Sequence, residues 1–412
     1  MKTTTAMTRR ISALAATLSA RIRLQPQPQT WSSLASRLLQ PIVFTHHFST
    51  SNGSNKIAMP DQDMELKLAK INNEISDLYK RGDFSAALKK SQDYLQQTQK
   101  HFGQDHPATA SALNNVGLMQ KLLGNFVEAR QHYTAAMRAY AKIVGRDHAS
   151  YAMTLHNLGN LNKSQVHFDT SLRATDRLTL VEQALEYFEE ALFIRQAELG
   201  HDHPLTIATR SSIGSTLAAQ VLHEYKMVST SNTSTKYVSL NANHISEQQW
   251  KAAEDHLREA LQLAMDNPRG RTVAGKKTKG KQKRTPPKSK QDQSTIQTLS
   301  AALAAQNLAV VLKSRAMTVD DSAPKQELLQ DAQRLYEQVL DVRLQLLPSK
   351  DHPDVYATKY SLAELWEVMG DTDKANVLRQ EILDSYQPSE MEEEEPPKPV
   401  VVEKTKATKH SE

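Results

Sequence analysis

Between Ala108 and His148 the apolar positions fall in two runs separated by one break. Leu113, Val116 and Gly117 recur at helical spacing. Gly124-Asn125 interrupts the pattern, and Phe126, Ala129, Tyr133 and Ala136 resume it. This predicts two amphipathic helices joined by a tight turn. Glycine at the break tolerates positive φ, and the small residues Gly117, Ala129 and Ala136 mark places where neighbouring helices approach closely. Gly145 ends the second helix. The next helix opens near an Asp-His-Pro corner, where proline fits the first turn because its missing N–H has no intrahelical partner there.

The same pattern returns along the chain. A shift of 42 residues superimposes Gly82 on Gly124, Phe84 on Phe126, Ala87 on Ala129 and Gly103 on Gly145, and Leu113-Asn115-Gly117 on Leu155-Asn157-Gly159. Further on, Ala129 matches Ala184 and Gly145 matches Gly200 at a shift of 55, which places a 13-residue insertion near Ser164–Arg177. The corner recurs at Asp105-His106-Pro107, Asp202-His203-Pro204 and Asp351-His352-Pro353, and without its proline at Asp147-His148-Ala149. One histidine per unit, tens of residues apart, points to helix capping and not to a shared metal site. Self-similarity of this period is the signature of a stacked helical array.

On these residues the chain resembles the tetratricopeptide repeat (TPR) family in its 42-residue form, as in kinesin light chain. The family's small eighth position falls on Gly117, Gly159, Gly214 and Ala363. Its small second-helix position falls on Ala87, Ala129, Ala184, Ala253, Ala332 and Ala375. The first unit has Ile75 where a small residue is usual. The resemblance implies an all-α, right-handed superhelical solenoid of about six helix hairpins over 66–386, with insertions at 164–178, 223–245 and 267–294. In the fourth unit the two helices are expected near Leu205–Leu222 and Glu247–Ala264, with the Ser/Thr/Asn-rich stretch Ser229–Asn241 between them as a loop.

Composition suits such an array. Of 412 residues 39% are hydrophobic and 6% aromatic, lean for one compact core but adequate for stacked small helices. No cysteine is present, so disulfides and thiolate chemistry are excluded. The net charge of +5 misleads: residues 1–60 hold seven Lys/Arg and no acid, leaving −2 on 61–412. That leader carries Ile11, Leu14, Leu18 and Ile22 at helical spacing with arginines on the flanks, and reads as a mitochondrial presequence over 1–55. His47-Phe48-Ser49 resembles a cleavage region, with His46 where arginine is usual. No apolar run is long enough to span a membrane. Residues 269–290 hold ten Lys/Arg and no acid, the composition of a solvated linker or of a weak anionic contact. No aromatic is interleaved to support a stable nucleic-acid site. Gly270–Lys277 nearly spells a phosphate-binding loop but has Lys277 where Ser or Thr should hold magnesium. The end, 387–412, is a charged tail with Glu390 and Glu392–Glu395.

No nucleophile elbow, zinc-protease helix or nucleotide fingerprint is present, so neither catalytic nor cofactor residues are assigned. In the family that the chain resembles, first helices line the concave face where ligands lie. That geometry nominates Asn72, Asn114, Leu118, Lys121, His156, Asn160, Lys163, Ser211, Gln306, Lys313, Tyr360 and Glu364, with amides and lysines to hold a peptide's backbone and carboxylates. The Lys/Asn/Arg clamp of chaperone-binding TPR domains is absent: its first lysine position is Asn114 or His156. The expected function is a non-enzymatic scaffold for a protein or peptide partner in mitochondria, in the matrix or at the inner membrane, serving assembly or maintenance of a respiratory or other inner-membrane complex. The alternatives are a cytoplasmic kinesin-light-chain-like cargo adaptor and a nucleic-acid-associated TPR protein using 269–290.

Overall fold

The computed structural model describes residues 62–230, 236–267, 296–319, 322–347, 349–350 and 352–385. The leader, most of the basic insertion and the acidic tail lie outside the described residues. Among the described residues the chain forms helices only. In order these are α1 (Gln62–Arg81), α2 (Phe84–Phe102), α3 (Pro107–Leu122), α4 (Phe126–Ile143), α5 (Ala149–Phe168) and α6 (Ala174–Leu199), followed by α7 (Pro204–Thr230), α8 (Lys236–Asp266), α9 (Leu299–Ala316), α10 (Ser322–Leu346), α11 (Pro353–Met369) and α12 (Thr372–Ser385). Each helix packs on the next, so the twelve form six hairpins stacked in chain order. First helices also touch across units: α3 on α5, α7 on α9, α9 on α11. The fold is the all-α hairpin array that the repeat spacing predicts.

The turn within a hairpin follows from its sequence. In three units a glycine is left-handed, with φ +79° at Gly82, +81° at Gly124 and +87° at Gly370. Each closes the same pair of bonds, as at Gly124 N–H to Lys121 O (3.1 Å) and Asn125 N–H to Gln120 O (2.9 Å). This is the glycine-terminated helix end that satisfies two orphan carbonyls. A Cβ built on Gly124 meets nothing within 4 Å. Gly124→Ala is therefore expected to cost only the backbone strain, about 1 kcal/mol, measurable by chemical denaturation.

The corners between hairpins are capped by histidine. His106, His148, His203 and His352 each precede a helix, and each Nδ1 accepts from the backbone N–H two residues on, at 3.2, 3.1, 3.2 and 3.1 Å. Imidazole thus does at these corners what Ser or Asp usually does at a helix start.

The core sits between the two layers of helices. All six alanines at the small second-helix position, Ala87, Ala129, Ala184, Ala253, Ala332 and Ala375, are fully buried. One turn on from four of them stand Tyr133, Phe188, Leu257 and Tyr336, also fully buried. Burying each such side chain stabilises the array by roughly 1.5–3 kcal/mol.

The insertions differ from the expected loops. In the third unit α5 runs on to Phe168 and α6 starts at Ala174, so much of 164–178 extends helices. The short turn is held by the Arg177 guanidinium, which donates to the carbonyls of Val166, Asp169 and Leu172. In the fourth unit helix enters the stretch expected as a loop over Ser229–Asn241 from both ends, α7 reaching Thr230 and α8 beginning at Lys236, while 231–235 lie outside the described residues. Ser, Thr and Asn weaken a helix only by tenths of a kcal/mol each, so they do not bar helix at these two ends.

Candidate inner-face site

The first helices α1, α3, α5, α7, α9 and α11 carry every nominated residue. Their side chains divide into three groups.

The first is an asparagine ladder. Asn115 Nδ2 donates to Asn72 Oδ1 at 3.4 Å, and Asn157 Nδ2 donates to Asn114 Oδ1 at 3.0 Å. The two bonds are the same bond, one repeat apart. Asn72 and Asn114, nominated as partner contacts, are thus buried, with their amide oxygens engaged between units. A buried amide pair in register also fixes how successive units stack.

The second group gathers on α3, α5 and α7. Lys121 is buried, and loss of hydration lowers its ammonium to about 8. Burial does the same to Lys163, also to about 8, although Nζ donates to Ser215 Oγ at 2.7 Å and lies 5.9 Å from the Phe188 ring centre. His156, on α5 between them, is held well below its ordinary value, first by burial and then by the positive charges of Arg195, Lys163 and Lys121. Its ring meets Phe188 edge-on at 5.2 Å, and Nδ1 lies 3.4 Å from Thr209 Oγ1. Arg195, buried on α6, donates to Thr209 Oγ1 (2.5 Å) and to the Leu205 carbonyl (3.0 Å), and burial lowers it to about 9. Asn160, one turn beyond His156, is 6% exposed, and its Nδ2 has no hydrogen-bond partner among the described residues. Leu118 is half-buried against Tyr133 and Leu158, and Ser211 is buried.

The third group lies on α9 and α11. Gln306 accepts from the buried Arg343, which also donates to the Asp354 carbonyl and to Thr358. Lys313 pairs with Glu364 at 2.9 Å. Tyr360 is half-buried. Here the polar groups are matched to one another, whereas the charges that act on His156 in the second group are those of Arg195, Lys163 and Lys121. Sequence reasoning missed Phe188, Arg195, Thr209 and Ser215, which shape the second group. Arg195-Thr209 and Arg343-Thr358 occupy matching places in their units, a repeat-level signal that was open to comparison.

Comparison with known proteins supports this reading of the repeats. The tetratricopeptide repeat family's sequence models match residues 68–142 and 181–205. Those segments are tetratricopeptide repeats. The first match spans α1 to α4, and the second runs from α6 into α7, so each TPR match falls on helices lining or backing the second group. Among curated proteins none matches the chain. The solved structures similar to it include the nearly identical TPR-like repeats of a protein described as kinesin light chain from Podosopora anserina, at 16% identity and TM-score 0.40, covering 68% of this chain and 96% of that one. BtubC (BKLC) from P. vanneervenii is 14% identical, with a TM-score of 0.41, covering 84% of this chain and 100% of that one. The assembly chaperone of RpL4, Acl4, is 15% identical with a TM-score of 0.40, covering 77% of this chain and 89% of that one.

Proposed function

We propose that the protein is a non-enzymatic TPR scaffold that holds a protein partner on the inner face of its first helices, in mitochondria, in assembly or maintenance of an inner-membrane complex. The observation carrying the binding reading is the second group. Lys121, His156, Asn160 and Lys163 come from adjacent units and sit on the face where α3 touches α5, the first three buried and Lys163 half-buried. Asn160 Nδ2 is buried there with no acceptor among the described residues, which is unfavourable unless something compensates, and a bound segment would. The compartment rests on the basic, acid-free leader alone. No helix among the described residues is long and apolar enough to cross a membrane, so an inner-membrane role would run through a partner.

Two measurements test the proposal. Residues 1–60 fused to a fluorescent reporter should enter mitochondria, and a cytosolic or nuclear reporter would sink the compartment. The full protein should capture a partner that Lys121→Ala/Lys163→Ala loses by tenfold or more in affinity. Equal capture by the folded double variant would remove the inner face from the account.

A further inference from the structure

On the outer layer, α9 packs on both α8 and α10, and between those two second helices lies a cavity of about 250 Å³. Leu308 and Leu312 of α9 form its floor and are buried. Leu261, Met265 and Leu335 form its half-buried walls. Its rim carries Arg258 from α8 and Arg334 from α10, both exposed. Arg258 reaches only Glu254, at 3.4 Å, and Arg315 already engages that carboxylate. Arg334 pairs with Asp331 on its own helix at 2.8 Å. Exposed pairs of this kind exchange partners at little cost. Counted from the small alanine of each second helix, Arg258 is the fifth residue on and Arg334 the second. At the other junctions the same two register positions hold Gln92 and Gln131, Thr134 and Glu186, Glu189 and Asp255, Glu337 and Val377. Only the α8–α10 junction has a cation at both.

We infer that this outer groove seats the chain's own C-terminal tail, with Glu392–Glu395 against Arg258 and Arg334 and Val400–Val402 over the leucine floor. The inference is independent of the inner-face reading above. Charge and polarity match in order. Residues 386–397 hold five Glu and no Lys or Arg, and three consecutive valines follow at 400–402. Guanidinium and carboxylate form charge-assisted hydrogen bonds, and the valines withdraw apolar surface from water on the floor. The reach also suffices. α12 ends at Ser385, and Glu392 stands seven residues on, an extended span of about 24 Å. Packed helices lie about 8–10 Å apart, so the acidic run can cross α10 and arrive at the groove. Proline at 396, 397 and 399 favours an extended chain between the two contacts.

The chain has no cysteine, so an introduced pair supplies its only thiols. Gln262→Cys lies in the groove wall, and Lys398→Cys lies between the two tail contacts. In the control pair Phe193→Cys replaces Gln262→Cys, at the same register position on α6 and 72% exposed. The full-length variants are oxidised in dilute solution, and the disulfide within one chain is followed by non-reducing electrophoresis and peptide mass. It is expected to form about tenfold faster from the Gln262 pair than from the Phe193 pair. Adding Arg258→Gln and Arg334→Gln should slow the Gln262 pair about fivefold. Glutamine at all four of Glu392–Glu395 should slow it equally, and the two sets combined should slow it no further. Circular dichroism checks that each variant is folded. Equal rates from the two pairs would overturn the inference. So would a Gln262 rate that falls with the glutamate changes but not with the arginine changes, which would seat the tail on the basic run at 269–290. A disulfide formed only between two chains would assign the groove to another copy's tail and overturn it as well.

Discussion

Gly214→Ala is expected to destabilise the array more than any other single methyl addition at its packing glycines, by about 1–3 kcal/mol, read as a fall in the denaturation midpoint. A Cβ on Gly214 would lie 2.8 Å from the Ala253 carbonyl oxygen and 2.7 Å from Leu257 Cγ. The carbonyl belongs to the α8 backbone and cannot turn aside, so α7 and α8 must separate along their length. At Gly117 and Gly159 the added methyl would meet the Tyr133 and Phe188 rings at 2.8 and 2.7 Å. Those rings can tilt by a few tenths of an ångström, so Gly117→Ala and Gly159→Ala should cost less. In a stack where each hairpin contacts only its neighbours, loosening the fourth unit also uncouples the two ends, so the Gly214→Ala transition should be broader than that of wild type. An unchanged midpoint would mean that the close crossing of α7 and α8 is not where the array's tolerance ends.

Acid is expected to destabilise the array from about pH 6.5 downward. His156 is held well below its ordinary value by burial and by three cations, and burial lowers His106 and His203 as well. In each case the folded protein binds its proton less readily than the unfolded chain. Their contribution is therefore complete above the unfolded value near 6.5 and is lost as the pH falls toward the folded values. The geometry explains two of the three. Nδ1 of His106 and of His203 accepts a backbone N–H, and protonation removes that lone pair, at a cost of about 1 kcal/mol per cap. The melting temperature should fall steadily below pH 6.5. His156→Gln, which cannot be protonated, should show a shallower fall. Parallel curves for the variant and wild type would exclude His156 as a source of the acid sensitivity.

What was legible in the sequence, and what was not, follows from which residues repeat. Gly117, Gly159, Ala129 and Ala184 recur because the two helices of each hairpin cross closely at the same point, so the helices and their packing are legible in the sequence itself. The asparagine pairs were half visible. Asn114 and Asn115 both stand out on the inner helix, but their side chains bond across units, and only the three-dimensional stack shows that Asn114 Oδ1 is taken by Asn157. At the two ends of Ser229–Asn241 helix extends where Ser, Thr and Asn suggest a loop, because these residues disfavour helix only weakly. Arg195 and Phe188 lie on second helices and reach the inner face from behind, which linear reasoning about first helices does not reveal. The basic segment and the leader are compositional signals with no repeat to anchor them.

We place the partner on the first helices around α5 and not on the outer layer. A photo-crosslinking amino acid placed at Leu118, half-buried on the inner face, is compared with the same residue at Phe193, which is 72% exposed on α6. In the cells that express the protein, a crosslinked partner band is expected from position 118 and none from position 193. A band from 193 with none from 118 would contradict it.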